Sequence, residues 1–150
     1  MWSMSFSLDI KKFAEKVEQN INDVRRGVAL DIFSHIVLRT PVGDPDLWQT
    51  KYKPGGYIGG TLRGNWQISI NGVNSTRLTA PDKSGNRTIA EGSRHINAAT
   101  GDNTIWIFNN MPYAIRVENG WSTRQAPAGM VKVTLTEFQR AIDEQIRQLG

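Results

Sequence analysis

The stretch LDIKKFAEKVEQNINDVRRGVALDIFSHIVLRT, residues 8–40, decides the fold class. Its apolar residues recur at steps of three or four, which places them on one face of an α-helix; they are Ile10, Phe13, Val17, Ile21, Val24, Val28, Ile32 and Ile36. Asp9 is the expected N-cap, and Pro41 disfavours helix at Thr40. The pattern predicts a helix of about 30 residues, near 45 Å long, with Gly27 as its weak point.

A second helix is predicted at the other end of the chain. Residues 128–149 have helical apolar spacing, with Pro127 at or just before the first turn. Between the helices, residues 65–71 alternate as a half-buried strand and residues 104–108 indicate a buried one. Further expectations are a weak strand at 77–80, an ambiguous segment at 88–99, and a short helix at 112–118 with Pro112 at its first position. The sequence thus predicts an α+β fold, with a small antiparallel sheet and the C-terminal helix packed on it.

Length and composition favour one domain over residues 1–150. The chain has eighteen Lys and Arg residues and fourteen Asp and Glu residues, and both kinds are spread evenly along it. A DNA-binding module usually concentrates its basic residues on one face, so this function is the weaker alternative. The chain has no cysteine, which excludes disulfides and thiolate metal sites. The apolar runs are too short to span a bilayer, so no membrane partner is expected.

A loop rich in glycine and proline is predicted at residues 41–65. Loops of this length are uncommon in compact domains and are usually functional or mobile. This one carries Trp48, Tyr52 and Tyr57, whose aromatic rings need a covering partner. Two interpretations stay open: a surface loop with local aromatic packing, or a docking loop that orders against another subunit.

Residues with catalytic potential are few and poorly grouped. His35 belongs to the first helix, and His95 has no further metal ligands at suitable spacing. Asp44 and Asp46 are close in sequence, but aspartates in a proline-rich turn more often bind the backbone. No known catalytic or phosphate-binding motif is present. We therefore expect no enzyme activity, no catalytic residue, no metal and no cofactor.

Two clusters of residues bring one family to mind. The first helix leads into Arg39-Thr40-Pro41-Val42, and Thr61-Leu62-Arg63-Gly64-Asn65-Trp66, with Gly60 just before it, leads into the strand. The second cluster is PYAIRVENG, residues 112–120, followed by APAGM at 126–130. Their order over residues 10–149 resembles the tail-completion or head–tail joining proteins of long-tailed bacteriophages, related to the Z protein of lambda. That family typically has "TPVDTGRLR" and then "YAxxVExG". This chain differs by about eighteen extra residues, 43–60, and by Thr61 where the family has glycine.

The resemblance implies a structural protein of the virion neck, assembled in the cytoplasm of a bacterial host. It would form a ring, with six copies as the expectation, between the head connector or stopper and the tail terminator or tail tube. Genomic DNA would pass through this ring without specific binding. A tail terminator ring is the alternative within the same class.

The same neck model assigns roles to particular residues. The expected interface residues are Trp48, Tyr52, Tyr57, Arg63, Trp66, Tyr113, Glu118 and Trp121. Lys51, Lys53 and Lys83 are expected to face the DNA channel. Arg63 and Glu118 are a candidate ion pair, within a subunit or between subunits, with two solvated surface charges as the alternative.

Overall fold

A computed structural model describes residues 2–44, 46, 57–101 and 103–149, and its first element is a long helix. Helix α1 spans Trp2–Arg39 and ends just before Pro41, as predicted. The predicted start was wrong, because Asp9 lies inside the helix rather than at its N-cap. Residues 2–8 contain no glycine or proline to stop the helix earlier. Gly27 does not interrupt α1.

A short antiparallel sheet follows the loop. Strand β1 (Trp66–Ser69) pairs with β2 (Trp106–Asn109), with Trp66 opposite Asn109 and Ser69 opposite Trp106. Both strands were predicted, and β1 alternates between buried and half-buried positions as expected. Strand β2 was expected to be buried, but Trp106 is 42% exposed and the other β2 residues are only half-buried. The ambiguous segment forms helix α2, Asn86–Asn97. Helix α2 packs closely on α1, since a Cβ added at Gly92 would lie 2.1 Å from a ring carbon of Phe33.

The strand predicted at residues 77–80 is not formed. The main chain at Leu78 bonds instead to the buried side chain of Asn65: Leu78 N–H donates to Oδ1 at 2.7 Å, and Nδ2 donates to the Leu78 carbonyl at 2.9 Å. Asn65 Nδ2 also donates to the Thr61 carbonyl. A side-chain amide thus takes the place of a neighbouring strand and holds this segment against the turn before β1.

Three helices complete the described chain: α3 (Ala114–Glu118), α4 (Val131–Thr136) and α5 (Phe138–Leu149). Pro112 does not begin α3, which starts two residues later. The prediction of one C-terminal helix over residues 128–149 was also wrong. The helical segment starts only at Val131, and it is broken at Glu137, whose N–H donates to the carbonyl of Thr134. The α+β class is confirmed, but α4 and α5 pack mainly on α1 rather than on the sheet.

Contacts with α1 explain this position of the C-terminal helices. Arg39 donates to Thr134 Oγ1 at 3.0 Å and forms an ion pair with Glu137 at 2.7 Å. The core itself lies where α1, α2 and the sheet meet. Its most buried members include Phe33, Ile36, Val37, Leu62, Trp66, Ile68, Ile96, Val117 and Met130.

Candidate functional site

Arg63 ties the end of α1 to the turn before β1. Its guanidinium donates to the carbonyls of Thr40 (2.8 Å), Leu38 (3.0 Å) and Lys83. The last carbonyls of a helix have no partner within it, so Arg63 satisfies the helix end with a charged donor. Burial lowers the pKa of Arg63, while the Asp82 carboxylate raises it. These bonds make Arg63 a structural clamp, and the interface role expected for it stays a prediction.

Trp66 belongs to the core, so its predicted place in an interface was wrong. It is only 7% exposed, and its indole N–H donates to Thr40 Oγ1 at 2.7 Å. Thr40 Oγ1 in turn donates to the Ile36 carbonyl at 2.7 Å. The threonine of the "TPV" segment therefore links α1 to β1 through a buried hydrogen-bond chain.

Glu118 caps the N-terminus of α4. Its carboxylate accepts from the N–H groups of Met130 (2.8 Å), Val131 (2.9 Å) and Lys132 (2.8 Å). Gly129 makes this approach possible, since its φ is +91° and an added Cβ would lie 2.4 Å from the Glu118 carbonyl oxygen. Because Arg63 bonds to carbonyls and Glu118 to amides, the predicted ion pair between these two described side chains is not formed within the subunit.

An open groove is lined by residues next to Thr40, Arg63 and Glu118 in the sequence. It runs from Pro41 and Tyr57 on one side to Trp121 and Gln125 on the other, with a volume of about 410 Å³. Leu62, Tyr113 and Val117 line it as well. The side chain of Gln125 clamps the two walls, because its Oε1 accepts from Val42 N–H at 2.9 Å and its Nε2 donates to the Val42 carbonyl at 3.0 Å. We call this cavity the aromatic groove.

One end of the aromatic groove is mostly apolar. Tyr57, Tyr113, Arg116, Val117 and Trp121 surround an adjoining cavity of about 240 Å³. The guanidinium carbon of Arg116 lies 5.3 Å from the centroid of the Trp121 ring, a cation–π distance. Burial raises the pKa of both tyrosines, so their hydroxyls stay protonated and can donate hydrogen bonds at neutral pH. Such a surface suits an apolar side chain flanked by polar atoms.

A large aromatic side chain of the aromatic groove is mostly exposed, since Trp121 is 70% exposed. Indole rings combine a large apolar area with few rotatable bonds, and they are enriched where proteins contact one another. Trp121 makes the aromatic groove the best candidate for a binding surface among the described residues.

The structure places the expected site residues in different parts of the molecule. Tyr57, Tyr113 and Trp121 come together in the aromatic groove, whereas Trp48, Tyr52, Lys51 and Lys53 lie outside the described residues. Lys83 is exposed, and its carbonyl accepts from Arg63. Asp44 and Asp46 form the predicted backbone turn, since Asp46 N–H donates to Asp44 Oδ1 at 3.0 Å.

Arg116 and Gln125 were not among the expected site residues. Arg116 lines the apolar end of the groove with Val117, and helical spacing from Tyr113 indicates this only once α3 is placed. Nothing in the sequence indicates that Gln125 bonds to Val42, because 83 positions separate them.

Comparisons with known proteins give no relative for this chain. No protein-family model, no curated protein and no solved structure matches it. Within the described ranges, no three His, Asp or Glu side chains lie close enough to hold a metal ion. No described helix is both long and apolar enough to cross a lipid bilayer.

Proposed function

We propose that this protein is a structural subunit of the neck of a long-tailed bacteriophage, a tail-completion ring protein that joins the tail to the head connector. One observation supports it above all. The three segments that carry the family resemblance, far apart in sequence, line the same groove: Pro41 after α1, Leu62 before β1, and Tyr113 with Val117 on α3.

The charged residues of these segments fit the same function. Arg63 and Glu118 both bind backbone groups at helix ends, and so they fix the walls of the aromatic groove. The exposed Trp121 then supplies apolar contact area for a neighbour in the ring.

The charge distribution supports DNA passage rather than DNA binding. The net charge is +4, and no block of basic residues occurs. A channel through which a genome moves requires weak, non-specific attraction to phosphate, since strong contacts would hold the DNA in place. Lys51, Lys53 and Lys83 remain the residues proposed to face this channel.

Assembly in vitro tests the proposal. Heads and tails from an infection with a phage whose copy of this gene is disrupted are mixed with the purified protein. We expect them to join into infectious particles only when the protein is added, and electron microscopy should show added density at the junction. Heads and tails that join equally well without the protein would refute the proposed function.

A further inference from the structure

The chain contains two asparagine–glycine pairs, and the fold places them in different surroundings. Asn71-Gly72 comes shortly after strand β1, and Asn119-Gly120 comes directly after helix α3. An asparagine that precedes glycine is prone to spontaneous deamidation, because glycine has no side chain to shield its backbone nitrogen from the neighbouring side-chain amide. In a folded protein the reaction also requires that the backbone and the side chain can move toward each other.

The first pair, Asn71-Gly72, lies in open space. Asn71 is exposed, and a Cβ added at Gly72 would meet nothing within 4 Å. The backbone N–H of Asn71 donates to Ser69 Oγ at 3.0 Å. Among the described residues, neither the side-chain amide of Asn71 nor the N–H of Gly72 has a hydrogen-bond partner. The two groups that must react are therefore not held apart by other contacts.

The second pair, Asn119-Gly120, is held by its neighbours. Asn119 Oδ1 accepts from Lys132 Nζ at 3.0 Å, and the Gly120 N–H donates to the Val117 carbonyl at 3.0 Å. The chain is also crowded there, because a Cβ added at Gly120 would lie 2.7 Å from the carbonyl oxygen of Pro127. The Gly120 nitrogen can attack the Asn119 side chain only after these contacts open.

We propose that Asn71 is a site of spontaneous deamidation in the folded protein, whereas Asn119 is protected. The Gly72 N–H loses its proton to solvent, and the nitrogen attacks Cγ of Asn71. A C–N bond forms and the Cγ–Nδ2 bond breaks, so that ammonia leaves and a cyclic succinimide remains. Water then opens the ring at either carbonyl and leaves aspartate or isoaspartate at position 71. Water is the only co-reactant, and the reaction does not depend on the proposed neck function.

The fold can accept the product of this reaction. The new carboxylate lies at an exposed position, and nothing packs against Gly72 that a longer main chain would displace. We therefore expect the deamidated protein to stay folded, with a Tm within about 2 °C of the unmodified protein. The modification then accumulates in the native protein instead of marking molecules that have already unfolded.

Peptide mapping tests the proposal, because trypsin separates the two pairs. Asn71 lies in the tryptic peptide of residues 64–77, and Asn119 lies in that of residues 117–124. The purified protein is kept in mildly alkaline buffer, and mass spectrometry with fragment ions follows the loss of each asparagine with time. We expect Asn71 to react at least about tenfold faster than Asn119, since the hydrogen bonds at Asn119-Gly120 must open first.

The same incubation in concentrated urea separates the effect of the fold from that of the local sequence. Unfolding removes the contacts of Asn119, so the two rates should then differ by less than about threefold. A ratio that stays near tenfold in urea would show that the flanking residues set the difference, and it would overturn the inference. Equal rates in the folded protein would also overturn it, as would an Asn71 that reacts only after unfolding.

Asn71→Gln and Asn119→Gln are matched variants for a second measurement. Glutamine deamidates more slowly than asparagine, because its side chain must close a larger ring. Each deamidation replaces a neutral amide with a carboxylate, so the product elutes earlier from a cation-exchange column. We expect this acidic form to accumulate in the wild type and in Asn119→Gln, but not in Asn71→Gln. An acidic form that accumulates at the wild-type rate in Asn71→Gln would place the reaction elsewhere and refute the proposal.

Discussion

Replacing Glu118 with alanine should destabilise the protein far more than its position near the surface suggests. The change removes three charge-assisted hydrogen bonds at the N-terminus of α4, from Met130, Val131 and Lys132. A hydrogen bond to a charged group contributes about 1.5–3 kcal/mol, but these three share one partly exposed carboxylate. We therefore expect a loss of about 2 kcal/mol in the free energy of unfolding, at the upper end of the range for a lost helix cap.

Thermal unfolding followed by circular dichroism measures this effect. For a chain of this length, about 2 kcal/mol corresponds to a fall in Tm of roughly 4–8 °C. Glu118→Gln keeps one acceptor oxygen and should lose about half as much. The matched control is Glu91→Ala, which removes an exposed ion pair with Arg94 within α2 and should cost less than about 0.5 kcal/mol. Equal Tm values for Glu118→Ala and Glu91→Ala would refute the capping role.

Three further predictions concern the packing of α2, its acid sensitivity and the aromatic groove. Gly92→Ala should lower the free energy of unfolding by about 1–3 kcal/mol, because its Cβ would overlap the Phe33 ring; urea denaturation measures this, and an unchanged midpoint would contradict it. Burial raises the pKa of Asp82, but hydrogen bonds from Thr88, Gly85 and Ser84 together lower it by more than burial raises it. The net pKa of Asp82 is therefore below its ordinary value of 3.8. The stability from Asp82 is therefore present above pH 3.8 and lost as the pH falls through the folded pKa. Urea midpoints between pH 6 and pH 2.5 should fall less for Asp82→Asn than for the wild type, and parallel curves would exclude this role. Trp121→Ser should abolish head–tail joining and change Tm by less than about 2 °C, since the indole is mostly exposed; normal joining by this variant would remove the aromatic groove from the binding surface.

The long helix and the first strand could be predicted because their side-chain periodicity is local. The stripe through Val28, Ile32 and Ile36 predicts α1, and the alternation of Trp66 and Ile68 with polar residues predicts β1. The start of α1 was placed too late, since the helix continues through residues 2–8, which hold no glycine or proline. Apolar spacing also continues across Glu137, so it could not reveal the break between α4 and α5.

Only the aromatic residues of the candidate site could be predicted, because their residue type alone suggests a contact surface. Tyr57, Tyr113 and Trp121 were expected as interface residues, and the structure brings them together around one cavity. The same reasoning placed Trp66 there, because sequence does not show that its indole N–H has a buried partner in Thr40. The ion pair expected between Arg63 and Glu118 does not form within the subunit, for a related reason. Both charges bind backbone groups at helix ends, and such partners have no signature in side-chain pattern.

The location of the protein in phage particles tests the neck assignment most directly. Purified virions labelled with gold-tagged antibody against this chain should carry label at the head–tail junction, and quantitative mass spectrometry should find several copies per particle, as a ring requires. Label spread over the capsid or tail fibres, or no copies of the chain in intact virions, would contradict the account.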